Sequence, residues 1–182
     1  MSKFDLNREN AILLVIDIQD RLVPVMEYKD QVIQNTKVLL EGARQMDIPV
    51  IVTEQYPKGL GNTVEDIRKD LGDAQVFSKN SFTAYIDEVK SALKDIGRKK
   101  IIIVGMETHI CVYQTTRDLI VDGYDVHIVR DAMASRTKEN FLNGLDLMKN
   151  IGAVISNTET IVFDLLKKAG TPEFKIMSKL IK

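Results

Sequence analysis

The chain has 182 residues, 45% hydrophobic and 28% charged, with a formal net charge of −1, which predicts a single domain spanning residues 1–182 around a full apolar core and leaves no basic footprint for nucleic acid. One cysteine excludes an internal disulfide and a Cys-rich metal cluster, and it suits a reducing compartment. No apolar run approaches the ~20 residues of a membrane helix, and the polar stretch Met1 to Asn10 lacks a signal-peptide core, so no membrane contact and a cytoplasmic location are expected.

Ala11 to Ile16 is a continuous apolar run, read as a strand buried on both faces that ends at Asp17. From Lys29 to Met46 the apolar residues fall at helical spacing. Ile48 to Thr53 reads as a second strand, with Pro49 at its start, where a missing N–H is tolerated. Glu54 to Asn62 holds Pro57, Gly59 and Gly61 and reads as a loop, followed by a short helix over Thr63 to Asp70. Ala74 to Ser78 is a short third strand ending at Lys79, and Tyr85 to Ile96 a helix. Ile101 to Val104 is a fourth strand, four β-branched residues closed by Gly105, and a helix runs from His109 to Asp122 with Gly123 as its C′ residue. Tyr124 to Val129 is a fifth strand closed by Arg130 and Asp131. Helix Lys138 to Asn150, strand Ala153 to Ser156, helix Thr160 to Ala169 and a short helix Glu173 to Ile181 complete the chain.

Strands alternating with helices predict an α/β fold: a three-layer α/β/α, Rossmann-like arrangement with a six-stranded, mostly parallel sheet. Ligands of such sheets bind outside the carboxyl ends of the strands, near a topological switch point. The predicted strand ends deliver Asp17, Glu54, Lys79, Cys111 and Asp131 to that edge. Each also has an ordinary structural role. An Asp after a strand often caps a helix, a Lys there is often solvated, and a free Cys is often a small core residue. A thiol at a helix start feels the positive end of the macrodipole and is biased towards thiolate. With Asp17 as general base and Lys79 as a balancing ammonium, Cys111 would attack a carbonyl, and N–H groups at the start of its helix would hold the oxyanion.

Sharper patterns do not fit. Asp17-Ile18-Gln19 lacks the second Asp of an aspartate-based phosphatase. Cys111 and Arg117 match a Cys-x5-Arg spacing, but the residues between them contain no glycine for a phosphate cradle. Gly59-Leu60-Gly61 lacks the third glycine of a dinucleotide fingerprint, and no Walker A sequence exists. His127 lies inside the fifth strand, and His109, two residues before Cys111, does not face it on a helix.

Three motifs in order, Val15-Ile16-Asp17-Ile18-Gln19, Lys79 after a short strand, and Val104-Gly105-Met106-Glu107-Thr108-His109-Ile110-Cys111-Val112, resemble the isochorismatase-like cysteine hydrolases, which include nicotinamidases. Thr53 to Gly61 and Gly123 to His127 are similar to the isochorismatase domain-containing subgroup. The resemblance implies a triad of Asp17, Lys79 and Cys111, a cis peptide just after Met106, an oxyanion hole from the Glu107 and Cys111 N–H groups, and a small amide as substrate. It also implies a homo-oligomer, dimer or larger. Gln19, Tyr56, Phe82, Thr108 and Ile110 are candidates to line the substrate pocket. Nicotinamidases bind a metal through an Asp and histidines after the second strand. Glu54-Gln55-Tyr56-Pro57-Lys58 has no His, so no catalytic metal and no cofactor are expected, and nicotinamide is disfavoured. Isochorismatases proper lack the cysteine, so Cys111 argues against their vinyl-ether chemistry. The competing reading of Cys111 is a redox-sensing or other non-enzymatic thiol.

Overall fold

Two apolar strands form the centre of the molecule. In the computed structural model, which describes residues 2–181, Ala11–Ile16 (β1) and Lys100–Met106 (β4) are buried along their whole length. They pair in parallel, from Ala11 opposite Lys100 to Ile16 opposite Gly105. Val50–Gln55 (β2) and Gln75–Lys79 (β3) extend the sheet on one side, Asp125–Ala134 (β5) and Val154–Ser156 (β6) on the other. The order is β3-β2-β1-β4-β5-β6 and every pairing is parallel. The strand order therefore reverses between β1 and β4, which places the crevice of a doubly wound sheet at the carboxyl ends of those two strands.

Side chains alternate across the sheet and feed two cores. Leu13 and Val15 of β1 and Ile102 and Val104 of β4 pack with Lys29–Gln45 (α1), Thr158–Leu166 (α7) and Pro172–Leu180 (α8) on one face. Ile12, Leu14, Ile101 and Ile103 pack with Asp87–Ile96 (α4), Tyr113–Val121 (α5) and Lys138–Asn150 (α6) on the other. Fully burying each such aliphatic side chain stabilises the fold by roughly 1.5–3 kcal/mol. Two one-turn helices, Pro57–Leu60 (α2) and Glu65–Arg68 (α3), lie in the β2–β3 connection. Among the described residues no helix is long and apolar enough to cross a membrane.

Several element boundaries differ from the sequence expectation. Gly105 does not close β4; it sits inside the strand at φ +133, and a Cβ there would lie 2.0 Å from the Ile16 carbonyl oxygen. The glycine is a contact residue that lets β4 approach β1. β2 starts at Val50 and runs on through Glu54 and Gln55, so part of the expected loop is strand. β5 continues past Arg130 and Asp131 to Ala134, through a register shift against β4 between Ile103 and Gly105. α7 begins at Thr158, capped by Asn157, whose side chain accepts from the Thr160 N–H.

At the opposite, amino-terminal edge of the sheet, Lys100 is almost fully buried. Its ammonium donates to the Ser2 carbonyl (2.8 Å) and to Asp125 (2.9 Å). His127 on the neighbouring strand is 2% exposed, and its Nε2 has no hydrogen-bond partner among the described residues.

Candidate active site

The crevice between β1 and β4 is built from four strand ends. Asp17 is the first residue past β1 and takes a left-handed conformation, φ +53, which short polar residues tolerate. Its N–H donates to the Thr53 carbonyl at 3.0 Å, so the turn stays registered on β2. One carboxylate oxygen accepts from Thr53 Oγ1 at 2.8 Å and the other from Lys79 Nζ at 2.6 Å. Both ionic side chains are wholly shielded from solvent.

Lys79 ends β3, which is separated from β1 by β2. Neighbouring strands lie about 4.8 Å apart, so only a long side chain spans that interval. The ammonium also donates to Gln55 Oε1 at 2.8 Å and to the carbonyls of Phe82 at 3.1 Å and Ser81 at 3.2 Å. Its three protons are shared among four oxygens, one of them anionic.

Cys111 arrives from β4. The Met106–Glu107 peptide is cis, and Thr108–Val112 then forms one turn of π-helix before α5 begins. Such turns recur at functional sites. The Glu107 carbonyl accepts from the N–H groups of Ile110 (3.0 Å) and Val112 (3.2 Å). The thiol lies beside the Asp17 carboxylate and the Glu107 backbone, close enough for both to act on its ionisation. Thr115 Oγ1 donates to the Cys111 carbonyl at 2.6 Å and accepts from the Ala84 N–H at 2.8 Å.

Residues from the far end of β5 brace this turn. Glu107 accepts from the Arg136 N–H and Nε, each at 3.1 Å, and His109 Nδ1 lies 2.9 Å from Ser135 Oγ. Behind it, Gly144 of α6 packs so closely that an added Cβ would lie 2.9 Å from the His109 backbone.

Burial dominates the electrostatics. The Asp17 carboxyl is pushed above the usual carboxylate range by desolvation, against the opposing pull of the Lys79 ammonium and the Lys79 and Thr53 hydrogen bonds. The Cys111 thiol is pushed up to about 12, first by burial and then by the Asp17 charge. This corrects the helix-start argument, which predicted a bias towards thiolate. In the resting site the sulfur is a thiol beside a carboxylate that has become a stronger base.

The structure thus brings Asp17, Lys79 and Cys111 together; other expected residues have different places. Gln19 is fully buried and turned to backbone groups. Its amide accepts from the Gln55 N–H (2.7 Å) and donates to the carbonyls of Gln55 (3.0 Å) and Gly61 (2.6 Å). Glu54 accepts from the Thr63 N–H and hydroxyl. Asp131 accepts from the Thr158 N–H and hydroxyl at the start of α7. Both acids accept from a backbone N–H and a threonine hydroxyl, as strand-end carboxylates commonly do. Thr108 is fully buried and its hydroxyl has no partner among the described residues. Ile110 is half-buried. Tyr56 and Phe82 are 54% and 57% exposed, whereas Cys111 is 7% exposed. A groove of about 680 Å³ between α1, α3 and α8 has none of these residues in its walls.

Thr53 and Gln55 were missed as site residues. They occupy alternate positions on β2, hence one face, on the strand lying between Lys79 and Asp17. The available signal was the polar run Thr53-Glu54-Gln55 closing a strand that begins apolar, with Thr53 and Gln55 on one face of it. Among the described residues no group of three or more His, Cys, Asp or Glu could hold a metal ion.

Against known proteins, an isochorismatase domain model matches residues 11–160. Over 178 residues the chain is 40% identical to the secreted isochorismatase effector Isc1 of Phytophthora sojae, covering 95% of this chain and 85% of that protein. It is 38% identical over 180 residues to isochorismatase domain-containing protein 1 of Danio rerio, covering 98% of this chain but only 63% of that protein's length. The solved structure of the MAR1 ribonuclease from Caenorhabditis elegans aligns with a TM-score of 0.92 at 36% identity, over 97% of this chain and 91% of that one.

Proposed function

We propose that this chain, which belongs to the isochorismatase family of hydrolases, cleaves the C–N bond of a small amide through a thioester on Cys111. The observation that carries the reading is the fully shielded Asp17 carboxylate, which accepts from Lys79 at 2.6 Å and lies beside the buried Cys111 thiol.

The steps balance. Asp17 takes the thiol proton as the Cys111–carbon bond forms, and the carbonyl oxygen becomes an oxyanion held by the Glu107 and Cys111 N–H groups. Collapse breaks the C–N bond, and Asp17 returns the proton to the leaving nitrogen. Water then attacks the thioester, losing its proton to Asp17, and the thiol is regenerated with release of the acid. Lys79 stays an ammonium throughout. All four of its oxygen partners belong to the protein, so its role is to balance Asp17 and not to bind substrate. Thr108 and Ile110, on the same turn as the nucleophile, are the proposed substrate contacts, with Tyr56 and Phe82 at the rim. Those two exposed aromatics also favour self-association over this edge, for which light scattering in solution is the check.

Burial of the thiol and its upward shift disfavour the redox-sensing reading, since oxidation selects exposed thiolates. The test is ammonia release from a panel of small primary amides, with intact-mass detection of an acyl group on Cys111. Turnover that disappears in Cys111→Ala is expected. Turnover retained by that variant would overturn the thioester, as would RNA cleavage, the activity named for the Caenorhabditis relative, that is independent of Cys111.

A further inference from the structure

We infer that Gln55, its backbone clamped by Gln19, is a positioning residue whose side-chain oxygen keeps the Lys79 ammonium turned towards Asp17. This rests on the triad reading above.

The orientation of the Gln55 amide is fixed from both ends. Its Nε2 donates to the Asn80 carbonyl at 3.0 Å, so Oε1 is the atom facing Lys79 at 2.8 Å. That is also the only atom an ammonium can use, since an ammonium has no acceptor. Gln55 is the direct strand partner of Lys79 in the β2–β3 pairing. Its backbone is gripped on both polar sides by the fully buried Gln19 amide, which also holds the Gly61 carbonyl. The reach of Gln55 towards Lys79 is therefore set by two amides that have little freedom to turn.

The chemistry requires such a residue. A shielded ammonium–carboxylate pair can neutralise itself by passing a proton from Lys79 to Asp17. Asp17 would then be protonated and unable to take the thiol proton. Every acceptor on the ammonium opposes that transfer. Three neutral acceptors contact Lys79, and Gln55 Oε1, at 2.8 Å, is the shortest and the only side chain among them. A neutral amide holds the proton on Lys79 without adding a second negative charge to compete with Asp17. Gln55 also directly precedes the rim segment from Tyr56 to Gly61, whose far end Gln19 holds, so the rim and the ion pair share one anchor.

The experiment follows alkylation of Cys111 by acrylamide in the full chain, read by intact mass over about pH 5 to 9, where proton removal by Asp17 sets the acid limb. Gln55→Leu is expected to move that limb to higher pH and slow alkylation about tenfold on the acid side, equivalent to about one unit. Gln55→Glu puts a second carboxylate on the same ammonium and is expected to move the limb in the same direction. A folded Gln55→Leu with the wild-type profile overturns the inference. If Gln55→Leu does not fold, a wild-type profile in Gln55→Glu overturns it. Asp17→Asn separates the two levels. If it too alkylates with the wild-type profile, the triad reading fails. If it loses the acid limb while the Gln55 variants keep theirs, only the role of Gln55 fails.

Discussion

Lys79 and Asp17 come from strands that are not neighbours, yet their side chains meet at 2.6 Å with neither exposed. Removing one partner of such a pair leaves an uncompensated buried charge, at a cost of about 3–5 kcal/mol. Lys79→Met should therefore melt well below the wild type at neutral pH. The direction with pH follows from Asp17, whose carboxyl is already above the usual carboxylate range by burial and loses its opposing ammonium in the variant. A group with a raised folded pKa weakens the fold as pH rises from the unfolded value through the folded one. The deficit should thus shrink on acidification, and the double variant Asp17→Asn/Lys79→Met should recover stability at neutral pH. Thermal melts across pH check this; a deficit independent of pH would contradict it.

Cys111 should show no inflection of a preformed thiolate near neutrality. Its thiol is pushed up to about 12, so unassisted alkylation rises only on the alkaline side. Superimposed on that rise, proton transfer to Asp17 gives a plateau that falls away in acid. Asp17→Asn should erase the plateau and leave the alkaline rise. A neutral-pH inflection surviving in Asp17→Asn would mean that another group activates the sulfur.

Gly144→Ala should damage the nucleophile turn from the back. The new Cβ would lie 2.9 Å from His109 Cα and N and from the Thr108 carbonyl carbon. These are backbone atoms with no rotamer to yield, and overpacking of this kind costs about 1–3 kcal/mol. We expect a lower melting temperature and much slower Cys111 alkylation, since the turn holding Glu107 and Cys111 is the part displaced. A normal alkylation rate would show that α6 yields instead.

His127 makes the fold sensitive to acid. Burial, then the Lys100 charge, holds its imidazole below the ordinary histidine range, against the Lys3 backbone and the charges of Asp125 and Asp164. Because the unfolded chain protonates first, stability is intact above about 6.5 and declines as pH falls below it, by up to about 1.4 kcal/mol per pH unit. Denaturant melts of His127→Phe should lose less stability than the wild type over that window. Equal losses would place the acid sensitivity elsewhere.

The sheet was legible because a strand buried on both faces has to be an unbroken apolar run, and Ala11 to Ile16 and Ile101 to Val104 are such runs. Asp17, Lys79 and Cys111 were legible as candidates because each stands at the end of a strand or on the turn that follows it. The same rule could not tell them from Glu54 and Asp131, which also lie near carboxyl ends but face backbone donors. Position along a strand does not say which neighbour a carboxylate meets. Gly105 was read as a terminator because glycine so often is one, whereas here it is required by the Ile16 carbonyl across the strand pair. The thiol's ionisation was misjudged because a helix start is visible in sequence, while desolvation and the adjacent Asp17 charge are not.

Thr115 carries one further consequence. A hydroxyl has one hydrogen, and here it goes to the Cys111 carbonyl, while the oxygen receives the Ala84 N–H. That single atom fastens the segment bearing the nucleophile to the segment whose Ser81 and Phe82 carbonyls grip Lys79. The two jaws of the crevice are therefore set like a locked calliper, whose width valine, equal in shape but without the hydroxyl, would release.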